Sequence, residues 1–161
     1  TITQGAAITA TGATGGNLKV TASDDVTLQN TGNDVAKLAA NITTAGKSFK
    51  YTDANTLAID QVAQAGSSAV VLGVPSGTAA TLALMNGITT LGGSGGSVVV
   101  NTLGTGTLDV NQAISTVPTG TGTTVGGSVV LESNGAITTA AAGTITPRTR
   151  LRRKHPGNPK A

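Results

Sequence analysis

Val, Ile and Leu recur along this chain in short alternating triplets rather than in long runs: LKV at 18–20, VTL at 26–28, VVV at 98–100, LDV at 108–110, VVL at 129–131 and ITT at 137–139. Period-two alternation sends successive side chains to opposite faces of an extended backbone, so each triplet predicts a short strand. Further strands are expected at 35–42, 49–51, 57–59, 70–72, 81–84 and 88–91, each closed off by Gly, Asn, Asp or Ser. Those residues tolerate turn geometry. Few segments are long enough for a helix, and only 35–40 has even a brief helical composition.

One template occurs three times. Two glycines, then Asn or Ser, precede a triplet, and a second triplet follows: GGNLKV at 15–20 with VTL, GGSVVV at 95–100 with LDV, and GGSVVL at 126–131 with ITT. The two triplets start eight, ten and eight residues apart, an imprecise repeat of the kind that stacked architectures show.

Residue size narrows the choice of architecture. Phe49 and Tyr51 are the only aromatic residues, Trp is absent, and 29 Thr accompany 23 Gly. A β-sandwich fills a gap of about 10 Å between its sheets with some large side chains. A β-helix encloses a narrow interior in which small branched side chains stack on the coils above and below. The expected fold is therefore all-β, a parallel β-helix (β-solenoid) over residues 1–146. At roughly 20 residues per coil and about 4.8 Å per step, this stretch would form about seven coils, a rod ~35 Å long with exposed edge strands at both ends.

Charge divides the chain. Residues 1–146 hold four Lys against seven acids, whereas Arg148, Arg150, Arg152, Arg153, Lys154 and Lys160 crowd the last fourteen residues. Residues 147–161 are read as a separate basic, unstructured tail, either simply solvated or in weak contact with a polyanion. With no aromatic residue there to stack on bases, specific nucleic-acid recognition is not expected. The chain has no cysteine, which excludes disulfides and thiolate metal sites. No apolar run approaches the roughly 18 residues of a transmembrane helix. The opening TITQG carries no secretion signal and reads as starting in mid-pattern, as a piece cut from a longer chain would.

The stretch NLKVTASDDVTLQNTGNDVAKLAANITTAGKSFKYTDANTLAI, 17–59, resembles the repeats of filamentous-haemagglutinin-like adhesins, large exoproteins of two-partner secretion. GAAITA at 5–10, GITT at 87–90 and GAITTA at 135–140 look like that family's recurrent strand caps. The resemblance implies a right-handed parallel β-helix, export to the bacterial cell surface or beyond, and a role in adhesion, biofilm formation or carriage of a distant toxin domain. Neither the family's secretion domain nor an effector domain is recognisable in these residues.

Candidate chemistry is sparse, and no catalytic, cofactor-binding or metal-binding residue is assigned. Gly46-Lys47-Ser48 ends like a phosphate loop, but the leading glycine position holds Asn41 and a strand is expected to follow, so the string reads as a turn. Gly32-Asn33-Asp34 looks like one turn of a calcium-binding repeat, yet one copy cannot build the ladder, and local side-chain bonds are expected instead. Asp24 and Asp25, adjacent on extended backbone, should point to opposite faces as solvated turn carboxylates. His155 lies in the tail far from any patterned Ser or Asp. The pairs Thr1/Thr3, Thr9/Thr11, Thr105/Thr107, Thr119/Thr121 and Thr144/Thr146 are too irregular for an ice-binding array.

The expected role is thus structural and adhesive, without enzymatic activity or cofactor. Shallow faces lined with Thr, Asn and Ser would offer weak, multivalent contacts to host or neighbouring-cell surface glycans or proteins. One rival is a self-assembling filament subunit joined through open coil edges. A second, a polysaccharide-acting β-helix enzyme, is disfavoured because the body has neither Arg before Arg148 nor aromatic platforms for sugar rings.

Overall fold

The computed structural model describes residues 1–10, 16–62, 69–72, 84–91, 96–116, 127–146 and 151–154, with only the backbone described at 69–72 and 151–154. Among the described residues there is no helix. The strands are β1 (Ile2–Thr3), β2 (Asn17–Ala22), β3 (Val26–Leu28), β4 (Lys37–Ile42), β5 (Phe49–Asp53), β6 (Leu57–Ile59), β7 (Gln61–Val62), β8 (Ala69–Leu72) and β9 (Met85–Asn86). They continue as β10 (Ile88–Thr90), β11 (Val98–Thr102), β12 (Leu108–Val110), β13 (Ile114–Ser115), β14 (Val129–Ser133), β15 (Ile137–Thr139), β16 (Ile145–Thr146) and β17 (Leu151–Lys154).

Nearly all pairing is parallel, in curled sheets that the chain visits alternately. The first sheet runs β1-β3-β5-β11-β14-β17 and sets Ile2, Val26, Phe49, Val98, Val129 and Leu151 side by side. Steps between these neighbours are 24, 23, 49, 31 and 22 residues. A passage is thus longer than the expected 20 residues, and the described residues of 1–146 contribute five strands to this sheet rather than seven. Each passage must turn its corners as well as span its strands, and two passages carry extra chain.

The second, nine-stranded sheet pairs β2 with β4, then forks. Lys37 and Leu38 of β4 lie beside Ala58 and Ile59, opening the branch β6-β12-β15, while Ala40–Ile42 lies beside Ile88–Thr90, opening the branch β10-β13-β16. β2 and β4 run unbroken for six residues across both branches. Later passages are interrupted between β6 and β10 at 60–87, at 111–113 and at 140–144, and Asn111 N–H and Gln112 N–H both donate to the Ile59 carbonyl as the chain bends.

The core lies between these sheets. Its columns are those the alternation predicts: Leu18, Leu38, Ile59 and Val110 in one, Val20, Ala40, Ile88 and Ile114 in another, all almost wholly buried. Phe49 and Tyr51 share the inward face of β5 with ring centroids 6.5 Å apart and an interplanar angle of 7°. A buried polar row turns the corner after the first sheet. Asn33, Asp53, Thr102 and Ser133 stand in successive passages, linked by Ala54 N–H to the Asn33 carbonyl (2.7 Å), Leu103 N–H to Asp53 (2.9 Å) and Asn134 N–H to Thr102 (3.4 Å).

Three expectations change. The template's first copy is out of phase: Val98–Thr102 and Val129–Ser133 pair directly in the first sheet, but LKV of 18–20 lies in the second sheet, and VTL of 26–28 takes the equivalent place. The glycines explain the agreement of the other two copies. A Cβ on Gly127 would run into the Gly96 carbonyl, so position 127 must be bare where the two passages stack. Within 81–84, Leu84 is outside any strand and half exposed, and 81–83 lies outside the described residues. Finally, Leu151–Lys154, expected in the unstructured tail, forms β17 along β14, whose open edge offers unpaired backbone groups; 147–150 and 155–161 lie outside the described residues.

The 49-residue step contains an excursion. β7 and β9 form the antiparallel stem, with Gln61 beside Asn86 and a Gln61 Nε2 to Asn86 Oδ1 bond of 2.9 Å. Beyond the stem, β8 lies parallel to β2 on the edge away from β4, with Asn17 beside Ala69 and Val20 beside Leu72.

Candidate binding groove

Residues that alternate with the buried column Val20, Ala40, Ile88, Ile114 face outward: Thr21, Asn41, Thr89, Ser115 and Thr146 share one register row. The excursion rises beside this row. Between them lies a groove of about 500 Å³, lined by Lys19, Thr21, Ala40, Asn41 and Thr89 on the sheet and by Leu84, Met85 and Asn86 on the excursion. Lys19 sits between inward-facing Leu18 and Val20 and is 7% exposed. Hydroxyls and amides can both donate and accept hydrogen bonds, the lysine supplies positive charge, and Leu84 and Met85 offer an apolar wall. Elsewhere on the second sheet, Lys37 Nζ of β4 meets Asp60 Oδ2 at 2.8 Å. Burial alone would raise the Asp60 carboxyl, but Lys37, the Gln61 N–H and Asn111 outweigh it and hold the group below its ordinary value.

Asp24 and Asp25 do not diverge as expected. Both approach Lys47 Nζ, at 2.6 Å from Asp24 Oδ1 and 3.6 Å from Asp25 Oδ2. The reason is local: the chain bends at Ser23 and Asp24, so strand alternation does not apply. Lys47 is the chief cause that holds the Asp24 carboxyl well below the usual carboxylate range, aided by the Thr1 amino group and hydroxyl and the Asp25 N–H. Asp24 in turn raises the Lys47 ammonium. The Gly46-Lys47-Ser48 string is a turn, with Gly46 at φ 79° and Ser48 N–H donating to Asp25 Oδ1 at 2.8 Å, and strand β5 follows it.

Asn33 makes more than local bonds. Wholly buried, it reaches residues 4 and 8 in one passage and Thr52 in another, while Asp34 forms a parallel bridge with Thr9. The threonine pairs scatter: Thr3 is in the first sheet, Thr146 in the second, and Thr105 and Thr107 in the approach to β12, while Thr11, Thr119, Thr121 and His155 lie outside the described residues. No group of three or more His, Cys, Asp or Glu converges among the described residues. No helix among them is long and apolar enough to cross a membrane.

The outward polar row is foreshadowed by Thr and Asn at alternate strand positions. The groove is not, because Leu84 and Met85 arrive from an excursion whose docking depends on long-range register. Comparison of the chain with protein-family models, curated proteins and solved structures finds no match.

Proposed function

We propose that this chain is a structural and adhesive segment of a secreted bacterial surface protein, folded as a right-handed β-solenoid rod that presents its outward polar row and groove to surface glycans or proteins. The carrying observation is the repeated passage of the chain through the same sheet positions in constant register, with Thr21, Asn41, Thr89 and Ser115 aligned on the outside. Aligned similar chemistry repeats at the strand spacing of about 4.8 Å, which suits weak contacts multiplied along an extended polymer. Right-handedness accords with the general hand of parallel crossovers. The resemblance of 17–59 to filamentous-haemagglutinin-like repeats supports the surface setting.

The test is a binding measurement with the purified chain coupled to beads at graded density over a panel of glycan- and protein-coated surfaces. Capture that rises steeply with bead density is the expected result; no capture at any density would sink the adhesive reading. Cleavage of acidic polysaccharides by the same preparation would overturn the claim that the chain is not an enzyme.

A further inference from the structure

The sides of the groove differ in chemistry. Its floor is the outward face of β2 and β4, where Lys19 stands in one register row with Ala39. Both alternate with inward-facing neighbours, yet they are only 7% and 0% exposed, and the stem of β7 and β9 lies against β4 here. Asn41 on the floor and Asn86 on the excursion bring one side-chain amide from each side. Such an amide both donates and accepts, as a peptide group does. Leu84 and Met85 form the apolar wall, and Leu84 is the one large apolar side chain left exposed among the described residues.

Two properties of this lining separate the partner classes. The first is the lack of an aromatic platform. Sugar rings are held by stacking their C–H faces on aromatic side chains, but the chain's two aromatic residues, Phe49 and Tyr51, are wholly buried in the core. A leucine and a methionine instead suit an aliphatic side chain, and the flexible thioether adapts to its shape. The second property is charge. Lys19 is the one charged side chain in the lining, and none of the chain's seven acidic residues lines it. Neighbouring acids are engaged elsewhere, Asp60 with Lys37 and Asp24 and Asp25 with Lys47. A cation so little exposed to water attracts an anion more strongly than one on an open surface.

We infer that the groove takes a short acidic peptide segment of a partner protein. An Asp or Glu carboxylate lies toward Lys19, an aliphatic side chain lies against Leu84 and Met85, and the peptide backbone passes between the amides of Asn41 and Asn86. A volume of about 500 Å³ belongs to small-ligand sites, so only a few residues of the partner enter it. The inference rests on the adhesive reading and narrows its partners from glycans or proteins to proteins.

The chain has a single methionine, so a carbon-13 label in the methionine methyl group gives one NMR signal, and that signal sits in the groove. The capped tetrapeptides acetyl-Ala-Leu-Asp-Ala-amide and acetyl-Ala-Asp-Leu-Ala-amide are titrated into the 161-residue chain. At least one of them is expected to move the Met85 signal in a saturable way. Replacing its Asp with Asn should weaken binding about fivefold, because a hydrogen bond to an ionised group is worth more than a neutral one. Replacing it with Lys should abolish the shift. A cello-oligosaccharide and a sulfated heparin-type oligosaccharide should leave the signal in place. A signal that neither Asp peptide moves, that Asp and Lys peptides move alike, or that an oligosaccharide moves more than the peptides would overturn the inference.

Two variants sharpen the result. Leu84 is exposed and outside any strand, so Leu84→Asp should keep the wild-type dichroism spectrum. It removes an apolar contact and adds a like charge, and should weaken the Asp peptide roughly tenfold or more; unchanged affinity would count against the groove as the site. Lys19→Met keeps a long apolar side chain without the charge, and Asp and Asn peptides should then bind equally. If Lys19→Met does not fold, Leu84→Asp and the peptide series on the wild type still decide. Beads that capture glycan surfaces while no peptide moves the Met85 signal would end the peptide inference and leave the adhesive reading standing. Beads that capture nothing would end the adhesive reading, and the titration would still judge the groove.

Discussion

The side-chain amides of Gln4 and Asn33 bond each other reciprocally, Gln4 Nε2 to Asn33 Oδ1 at 2.7 Å and Asn33 Nδ2 to Gln4 Oε1 at 3.1 Å, across two neighbouring passages of the chain. Asn33 Oδ1 also accepts from Ile8 N–H (2.9 Å), and its Nδ2 donates to the carbonyls of Leu28 (3.1 Å) and Thr52 (3.0 Å). One buried amide thereby ties three successive passages.

Asn33→Ala strands several of these groups without water. Each buried donor or acceptor left unpaired costs roughly 1–3 kcal/mol, so a loss of about 3 kcal/mol is expected in urea unfolding. Asn33→Asp should do no better, because a carboxylate oxygen would face the Leu28 and Thr52 carbonyls in place of N–H groups. A loss below about 1 kcal/mol in either variant would mean that this corner is open to solvent.

Asp53 gives a pH dependence of unusual sign. Burial raises its carboxyl above the ordinary value of 3.8, opposed by the N–H groups of Asn55 and Val35 and by the Tyr51 hydroxyl at 2.9 Å, and reinforced by Asp34. The folded state therefore holds this proton more tightly than the unfolded chain. Its stabilising contribution is fullest below 3.8 and is lost as pH rises through the raised folded value. Asp53→Asn cannot titrate, so the stability gap between wild type and variant should narrow from acid to neutral pH in paired denaturation curves. A gap that widens instead would contradict the raised value. Asp24 has the opposite sign, present above 3.8 and lost in acid, but its pair with Lys47 is exposed and should be weak and salt-sensitive.

Phe49 stands in the first sheet's inner column between the smaller Val26 and Val98. Phe49→Ala leaves a cavity that small neighbours cannot refill, and a loss of ~4 kcal/mol is expected. Phe49→Leu, nearer to the column's other members in size, should cost distinctly less; equal losses would argue against a tightly packed column.

Gly127 faces the Gly96 backbone with no room for a side chain. Gly127→Ala must push stacked passages away from each other and should cost about 3 kcal/mol, whereas Gly5→Ala, with nothing nearby, should stay within roughly 0.5 kcal/mol. Thermal unfolding of both variants side by side reads the difference.

Much of this arrangement is legible in the sequence. The segments 26–28, 57–59 and 108–110 are strands over those same residues, because strict period-two burial leaves little freedom of interpretation, and 137–139 is a strand as well, although only Ile137 is partly buried there. The two-residue strands β1, β13 and β16 are too short to carry a period and give no such signal. The phase of the first repeat is misleading because Gly15-Gly16 precedes a strand of the second sheet, and glycine pairs mark close backbone approach at more than one corner. Asp24 and Asp25 depart from alternation because a bend, invisible in composition, replaces extended backbone. The groove needs both a register row and an excursion returning past two strands, which no local pattern encodes.

The 49-residue step from Phe49 to Val98 is a reserve of slack. If the chain ends are drawn apart, the bonds between neighbouring strands open one passage at a time from the free edges, and a passage of 22 to 24 residues releases ~80 Å of extended chain. The passage that holds the excursion releases ~170 Å, once β8 has let go of β2. Under tension the molecule would lengthen in uneven jumps, with one segment acting as a shock absorber for the rest.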